Sequence, residues 1–215
     1  MSAELKLRER IVAIGHSLYT RGLSPGSSGN ISARLEDGWL LTPTNSCLGE
    51  LDPALLSKLD WNGNLVSGAK PSKEYFLHLA MYQKRQQSGA IVHLHSSHAA
   101  AISCLDGLDP ASCLPPITPY FVMRVGQLPL IPYFRPGDKA LALEIAKHAD
   151  KHAAVLLANH GPVVSGQDLD SAMYAMEELE ETAKLILLLL GQKIRTLNKV
   201  QIQELCETFG ARWES

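Results

Sequence analysis

The segment Ala90-Ile91-Val92-His93-Leu94-His95 gives the sharpest local signal in this sequence of 215 residues, and it predicts a β-strand. Side chains alternate between the two faces of a strand, so His93 and His95 are expected to project from the same face. Val92 and Leu94 then point into the opposite layer. Two imidazoles fixed side by side are a good start for a metal site. Alone, the pair is equally compatible with surface or hydrogen-bonded core histidines.

Two residues elsewhere in the chain complete a candidate metal site. His160 follows an apolar strand predicted over residues 154–158, so it lies at a strand end, where sites are commonly assembled. Glu74 is expected in the first turn of a helix that begins at Pro71, where the helix dipole alone would also favour a carboxylate. Three imidazoles and one displaceable carboxylate leave a position for substrate oxygens, as in catalytic metal sites. The candidate ligands are His93, His95, His160 and Glu74. The remaining histidines are assigned no role: His16, His78, His98, His148 and His152.

Two loops rich in hydroxyl groups offer a second kind of site. Residues 27–30 (Ser-Ser-Gly-Asn) and 42–46 (Thr-Pro-Thr-Asn-Ser) combine small side chains with backbone N–H groups that can cradle a phosphate. Neither loop continues into the Gly-Lys-Ser/Thr of a Walker motif, so on their own both are compatible with ordinary turns. Lys73 adds a cation beside Glu74, although its simplest interpretation is a solvated lysine.

The other elements alternate between helices and short strands. Helices are predicted through Leu7 and Leu18, from Pro53, from Pro71 with Ser72 as its cap, from near Ser96, and over residues 139–148 and 169–190. Strands are predicted near residues 31–34, 39–42, 90–95, 121–125, 130–132 and 154–158, and short strands are expected on either side of the turn at Asn62-Gly63. Several connections are too short for parallel crossovers, so we expect an α/β fold with a mixed, mostly antiparallel sheet and helices on both faces. Residues 185–190 are apolar all round and are expected to be buried, either in the core or between subunits.

Composition and charge narrow the class of protein. The formal net charge is -2 and 46% of the residues are hydrophobic, which is typical of a globular protein and gives no general attraction to nucleic acid or membranes. The N-terminus lacks an apolar signal core, and the longest apolar run is too short to cross a bilayer. The four cysteines are scattered and are interpreted as free thiols. We therefore expect a cytoplasmic protein with one domain over residues 1–215.

In chain order, the motifs resemble those of the class II aldolase/adducin family, which includes fuculose-phosphate aldolase and ribulose-phosphate 4-epimerase. The matching motifs are Gly29-Asn30, Thr42-Pro43-Thr44, Pro71-Ser72-Lys73-Glu74, Val92-His93-Leu94-His95 and Asn159-His160-Gly161. They extend from about Ile11 to Leu190, and the ordered set is far more specific than any one motif. The resemblance implies a three-layer α/β/α subunit in a fourfold-symmetric homotetramer with active sites between subunits.

Within this family the chain is most similar to the bacterial 3-oxo-tetronate 4-phosphate decarboxylases. The similarity rests on residues 46–49 (SCLG), 118–120 (TPY), 133–139 (YFRPGDK) and 176–184 (MEELEETAK). Two positions depart from the fuculose-phosphate aldolase pattern, since Lys73 replaces a serine and Asn45 replaces a glycine. Both departures argue against a plain aldolase.

The resemblance implies a role for each matching residue. His93, His95 and His160 match zinc ligands, and Mn²⁺ or Co²⁺ could replace zinc because imidazole binds all three ions. Glu74 matches the catalytic acid/base and can also approach the metal. Tyr120 matches a tyrosine that reaches the active site of the neighbouring subunit. The positions that match the family's phosphate site are Ser27, Gly29, Asn30, Thr44, Asn45 and Ser72.

These roles lead to a specific hypothesis, namely that the enzyme decarboxylates 3-oxo-tetronate 4-phosphate to dihydroxyacetone phosphate and CO2. A zinc-stabilised enediolate would form and would be protonated at C2 with the help of Glu74. The substrate carboxylate needs a cation, for which Lys73 is favoured over Arg124. One alternative is an aldolase or epimerase acting on a sugar phosphate such as fuculose phosphate, because the same enediolate arises there. Another is an adducin-like interaction module, against which the complete set of ligands argues.

Overall fold

A computed structural model of the chain describes residues 2–213. The helices are α1 (Ala3–Thr20), α2 (Tyr75–Lys84), α3 (Ser97–Ser103), α4 (Pro119–Arg124), α5 (Ala140–His148), α6 (Leu169–Leu188) and α7 (Lys199–Phe209). The strands are β1 (Asn30–Arg34), β2 (Trp39–Leu41), β3 (Ser57–Leu59), β4 (Leu65–Ser67), β5 (Ala90–His93), β6 (Leu130–Ile131), β7 (Ala154–Leu157) and β8 (Gly161–Gly166). Among residues 2–213, no helix is long and apolar enough to span a membrane.

The strands form one sheet in the order β4-β3-β2-β1-β5-β8-β7-β6. Every neighbouring pair is antiparallel except β6 and β7, which are parallel. The prediction of a mixed, mostly antiparallel sheet is therefore confirmed. Strand β5 lies at its centre, and its register sets Asn30 of β1 opposite His93 and Val163 of β8 on the other side. The predicted metal ligand His93 thus sits at the end of the central strand.

Helices cover both faces of the sheet, which confirms the three-layer α/β/α architecture. On one face, Val92 and Leu94 pack into a core shared with α1, α3, α4 and α6. On the other face, Ile91 and Val155 pack with residues of α2 and α5. Because β5 is buried on both sides, it is apolar apart from the histidine at its end.

Two local predictions were wrong. Residues 121–125 were expected to form a strand, but residues 121–124 belong to α4 and Val125 caps its end, because Thr118 and Pro119 provide a strong helix start. The Thr118 hydroxyl accepts the Phe121 N–H at 3.1 Å, and proline is well suited to the first helical position. The helix expected from Pro53 is only a short 3-10 turn, Pro53–Leu55, because the chain then enters β3.

The end of α6 also differs from one expectation. In the isolated subunit Leu188 is 71% exposed and Leu190 is 56% exposed, so the apolar run is not buried in the core. Burial between subunits stays a prediction. Strand β8 and helix α7 were not predicted. The pair Gly161-Pro162 is typical of a turn and not of a strand, and α7 has only one buried residue, Ile202.

Candidate metal centre and active site

The structure brings the four candidate ligands together. Each of Glu74, His93, His95 and His160 offers one ligand atom, and these atoms all lie within 4.8 Å of one another. The Nε2 atoms of His95 and His160 are 2.9 Å apart. The Glu74 carboxylate oxygens lie 3.5 Å from Nε2 of His93 and 3.4 Å from Nε2 of His160. Residues separated by up to 86 positions thus converge on one point, as the ligands of a single ion do.

His93 has the environment expected of a metal ligand. Its Nδ1 lies 2.8 Å from the carbonyl oxygen of Pro162, which can only accept, so Nδ1 carries the proton. This tautomer leaves the lone pair on Nε2 facing the cluster. Nε2 is buried and has no hydrogen-bond partner among the described residues. A buried nitrogen without a partner is costly, and a bound divalent ion would satisfy it.

The other two histidines come from the ends of neighbouring elements. His95 was expected within the strand, but β5 ends at His93, so His95 lies just beyond it. His160 lies in the tight turn between β7 and β8, where its backbone N–H donates to the Ser103 hydroxyl at 3.1 Å. A Cβ on Gly161 would lie 2.3 Å from the Leu94 carbonyl oxygen, so only glycine allows this close approach. The turn is thereby packed directly against the segment that carries His95.

Glu74 occupies a different backbone position from the one predicted. Helix α2 begins at Tyr75, so Glu74 is the residue that precedes the helix and not a member of its first turn. Ser72 is likewise not the helix cap, although its hydroxyl accepts the Glu74 N–H at 3.3 Å. A non-helical turn over residues 72–74 delays the start of the helix. The side-chain amide of Asn30 donates to the Glu74 carboxylate at 2.8 Å and orients it towards the histidines.

The protonation states suit metal binding. Burial lowers the pKa of His93 and His95, and burial together with neighbouring His93 lowers the pKa of His160 to about 4. These imidazoles are therefore neutral at pH 7 and have lone pairs to offer. Burial opposes the charged form of Glu74, but nearby His93 and the N–H of Asn30 outweigh it and hold the pKa of Glu74 below its ordinary value. A carboxylate and three neutral imidazoles fit a divalent cation.

A cavity of about 240 Å³ adjoins the ligands. It gathers all the residues predicted for the phosphate site, together with Lys73, which is exposed. Gly29 has a φ of 78°, and a Cβ there would lie 2.9 Å from the His93 carbonyl oxygen, so glycine is required at this position. Pro136 and Gly137 also line the cavity, although no site role was predicted for them. The other lining residues are Ser27, Ser28, Gly29, Asn30, Pro43, Thr44, Asn45, Ser72, Lys73, Glu74 and His95.

Two candidates lie elsewhere in the subunit. Tyr120 is 56% exposed on α4 and does not line the cavity beside the ligands. The Arg124 guanidinium lies 5.7 Å from the centre of the Tyr120 ring and 5.9 Å from that of Tyr174. Arg124 lines a second cavity of about 480 Å³, which includes Gly166 at the far end of β8. Of the two cations considered for the substrate carboxylate, only Lys73 is near the ligands within one subunit.

Comparison with known proteins identifies the family. Residues 9–187 match the family described as the class II aldolase and adducin N-terminal domain. A 3-oxo-tetronate 4-phosphate decarboxylase from Pectobacterium atrosepticum is 52% identical over 95% of this chain and 94% of its own. An L-fuculose phosphate aldolase from Haemophilus influenzae is 33% identical over 97% of both chains. The crystal structure of YgbL from Klebsiella pneumoniae, described as an aldolase/epimerase/decarboxylase, is 50% identical with a TM-score of 0.93, covering 95% of this chain and all of the other. The chain belongs to the class II aldolase and adducin N-terminal domain family.

Proposed function

We propose that this chain is a metal-dependent carboxy-lyase that converts 3-oxo-tetronate 4-phosphate to dihydroxyacetone phosphate and CO2. The observation that carries the proposal is the convergence of one carboxylate and three imidazoles within 4.8 Å beside a cavity lined with hydroxyl groups. The choice of reaction is supported by the identity of 52% to a protein named for this decarboxylation, against 33% to one named for aldol cleavage.

The substrate is a β-keto acid, which determines what the site must do. The bond between C1 and C2 breaks, CO2 leaves, and the electron pair is delocalised over C2 and the C3 carbonyl oxygen. A proton added at C2 then gives dihydroxyacetone phosphate. A bound divalent ion would act as a Lewis acid and stabilise the negative charge that develops on the C3 oxygen. We propose Zn²⁺ as the native ion, with Mn²⁺ or Co²⁺ as possible replacements because all three accept imidazole ligands.

The protein side chains would bind the substrate and move the proton. We propose that Glu74 carries the proton to C2, because its carboxylate lies among the ligands and is held by Asn30. Lys73 would pair with the substrate carboxylate. The substrate phosphate would be held by hydroxyl, amide and backbone N–H groups from Ser27, Gly29, Asn30, Thr44, Asn45 and Ser72.

We further propose a cytoplasmic homotetramer built from a single domain over residues 1–215, with active sites between subunits. The exposure of Leu188 and Leu190 in the isolated subunit supports an interface at the end of α6. Tyr120, which is exposed and away from the ligands of its own chain, would then act in the neighbouring site. The described cysteines are unpaired, which suits a reducing compartment.

The test is to offer the zinc-loaded enzyme both stereoisomers of 3-oxo-tetronate 4-phosphate and to measure CO2 and dihydroxyacetone phosphate. Fuculose 1-phosphate is the matched aldol substrate, for which lactaldehyde release is measured. We expect CO2 and dihydroxyacetone phosphate in equal amounts from one or both acids, and at most slow aldol cleavage. Fast cleavage of the sugar phosphate without CO2 release from either acid would contradict the proposal.

A further inference from the structure

A chain of hydrogen bonds runs from Glu74 into the protein core. The Asn30 amide nitrogen lies 2.8 Å from the Glu74 carboxylate, and the Asn30 amide oxygen lies 2.5 Å from Nε2 of His78. The Ser32 hydroxyl lies 2.7 Å from Nδ1 of His78 and 2.9 Å from the Tyr82 hydroxyl. No role was predicted for His78, because no recognisable motif lies next to it in the sequence.

The periodicities of β1 and α2 explain the alignment of these groups. Asn30 and Ser32 are two residues apart on β1 and therefore face the same side of the sheet. His78 and Tyr82 are four residues apart on α2 and therefore share one helix face. His78 and Ser32 are completely buried, and the His78 ring stacks on that of Trp39 with 6.2 Å between centroids. In such a dry environment each polar atom needs a partner, so the arrangement is strongly constrained.

The direction of each hydrogen bond follows from the chemistry of the partners. The Glu74 carboxylate can only accept, so the NH2 group of Asn30 faces it and the Asn30 oxygen faces His78. That oxygen also only accepts, so His78 carries its proton on Nε2. Burial lowers the pKa of His78 to about 3, so the ring is neutral and Nδ1 accepts from the Ser32 hydroxyl. The Ser32 oxygen in turn accepts from Tyr82. Every donor in the chain therefore points towards Glu74.

We propose that His78 is a positioning residue for catalysis, which uses its Nε2–H to hold the Asn30 amide with its NH2 group towards Glu74. This inference rests on the proposed role of Glu74 in proton transfer. An asparagine amide has nearly the same shape after a half-turn, so packing alone fixes its orientation poorly. Turned around, Asn30 would present its oxygen to a carboxylate, and the two acceptors would repel each other. The donor on His78 makes the productive orientation the only one that satisfies both ends of the amide.

Two substitutions of His78 separate the donor from the packing. In His78→Gln the side-chain amide can place an N–H near the position of Nε2, whereas the shorter side chain of His78→Asn cannot reach it. We expect His78→Asn to lower kcat by about 100-fold with little change in KM, since small misplacements of a catalytic group have effects of this size. His78→Gln should stay within about tenfold of the wild type. Zinc content and thermal unfolding of both variants provide the control for folding.

Equal kcat values for two folded, zinc-loaded variants would overturn the proposal, because packing would then be the only role of His78. A direct measurement covers the case in which a variant fails to fold. Nitrogen-15 NMR of the full-length, zinc-loaded wild type should show His78 as the neutral Nε2–H tautomer, with one protonated and one unprotonated ring nitrogen, from pH 6 to pH 8. An Nδ1–H tautomer or a charged ring would also overturn it. The tautomer is measured without any substrate. Failure of the proposal for His78 can therefore be distinguished from failure of the proposed decarboxylation.

Discussion

Two cavities lie at opposite ends of the β5–β8 pair, and they differ in both size and chemistry. The larger one, about 480 Å³, is lined by Arg85, Arg124, Lys151 and Arg212, with no acidic residue among its described lining. The smaller one, about 240 Å³, adjoins the carboxylate and the three imidazoles. Size alone would favour the larger cavity as the active site. The convergence of four potential metal-ligand atoms instead favours the smaller cavity, because catalysis requires the reactive groups to lie close to one another.

The electrostatics of the two ends also differ. At the larger cavity, burial and the neighbouring charge of Arg212 lower the pKa of Arg85, so like charges are crowded there. At the smaller cavity, burial keeps the histidines neutral while Glu74 stays ionised. A cation is therefore attracted to the smaller cavity and repelled from the larger one. This contrast can be tested by comparing matched substitutions at the two ends.

The largest effect is expected from loss of a metal ligand. His95→Ala should remove both bound metal and turnover, because two imidazoles and a carboxylate bind a divalent ion much more weakly than the full set. His152→Ala, at a histidine that lines the larger cavity, is the matched control and should leave both unchanged. Metal content by mass spectrometry and CO2 release provide the measurements. Wild-type metal content and turnover in His95→Ala would show that His95 is not a ligand of the metal.

The second effect separates proton transfer from metal binding. Glu74→Gln keeps the shape of the side chain and its contact with Asn30 but removes the ionisable group. We expect turnover to fall about 10²–10⁴-fold, the usual contribution of a general acid or base, while most of the metal remains bound. Zinc content and kcat should be measured on the same sample. Near-normal turnover would show that another group moves the proton.

The third effect compares the two cations considered for the substrate carboxylate. Lys73 is exposed beside the smaller cavity, and Arg124 lines the larger one. Lys73→Ser should lower kcat/KM for the acid substrate by about tenfold, or about 1.4 kcal/mol, because solvent weakens an exposed ion pair. Arg124→Ser should have less effect. A larger loss in Arg124→Ser would indicate that a neighbouring subunit supplies the carboxylate partner. Equal losses for an acid and a neutral sugar phosphate would assign Lys73 to the phosphate instead.

The sequence predicted the grouping of the four candidate ligands, which the structure brings together, because two of the histidines lie at recognisable strand ends. His93 ends a buried apolar strand, and His160 follows another, so both positions could be read from local patterns. The start of α2 could not be read in this way. Pro71 and Ser72 have the composition of a helix start, yet a turn held by the Ser72 hydroxyl delays the helix until Tyr75. Local propensity could not show that turn.

Contacts between distant segments also could not be predicted from local sequence patterns. The hydrogen bond between Asn30 and His78 depends on how β1 packs against α2, and the sequence contains no signal for that packing. The exposure of Leu188 shows a similar limit, since an apolar helix end predicts burial without saying what covers it. Family resemblance supplied the residues of the phosphate site, which local turn patterns alone could not distinguish from ordinary loops.

The smallest effect tests whether the site depends on a second subunit. Tyr120 lies away from the ligands of its own chain, so its predicted role requires a neighbouring active site. Tyr120→Phe removes only the hydroxyl, and a single hydrogen bond contributes about 1 kcal/mol, so we expect kcat to fall about fivefold. Tyr174→Phe is the matched control, because this ring also lies beside Arg124 and is similarly exposed. It should leave kcat unchanged.

Folding and assembly must be followed in the same samples. Both tyrosine variants should keep the thermal stability of the wild type, since both residues are about half exposed and each substitution removes only a hydroxyl group. Light scattering at falling protein concentrations should follow the dissociation of the proposed tetramer, and the specific activity of the same samples should decline with it. If dissociated subunits kept full activity, or if Tyr120→Phe matched Tyr174→Phe in kcat, the active site would be complete within one chain. The cavity beside the histidines would then contain every group that the reaction needs, and the exposed leucines of α6 would require another partner.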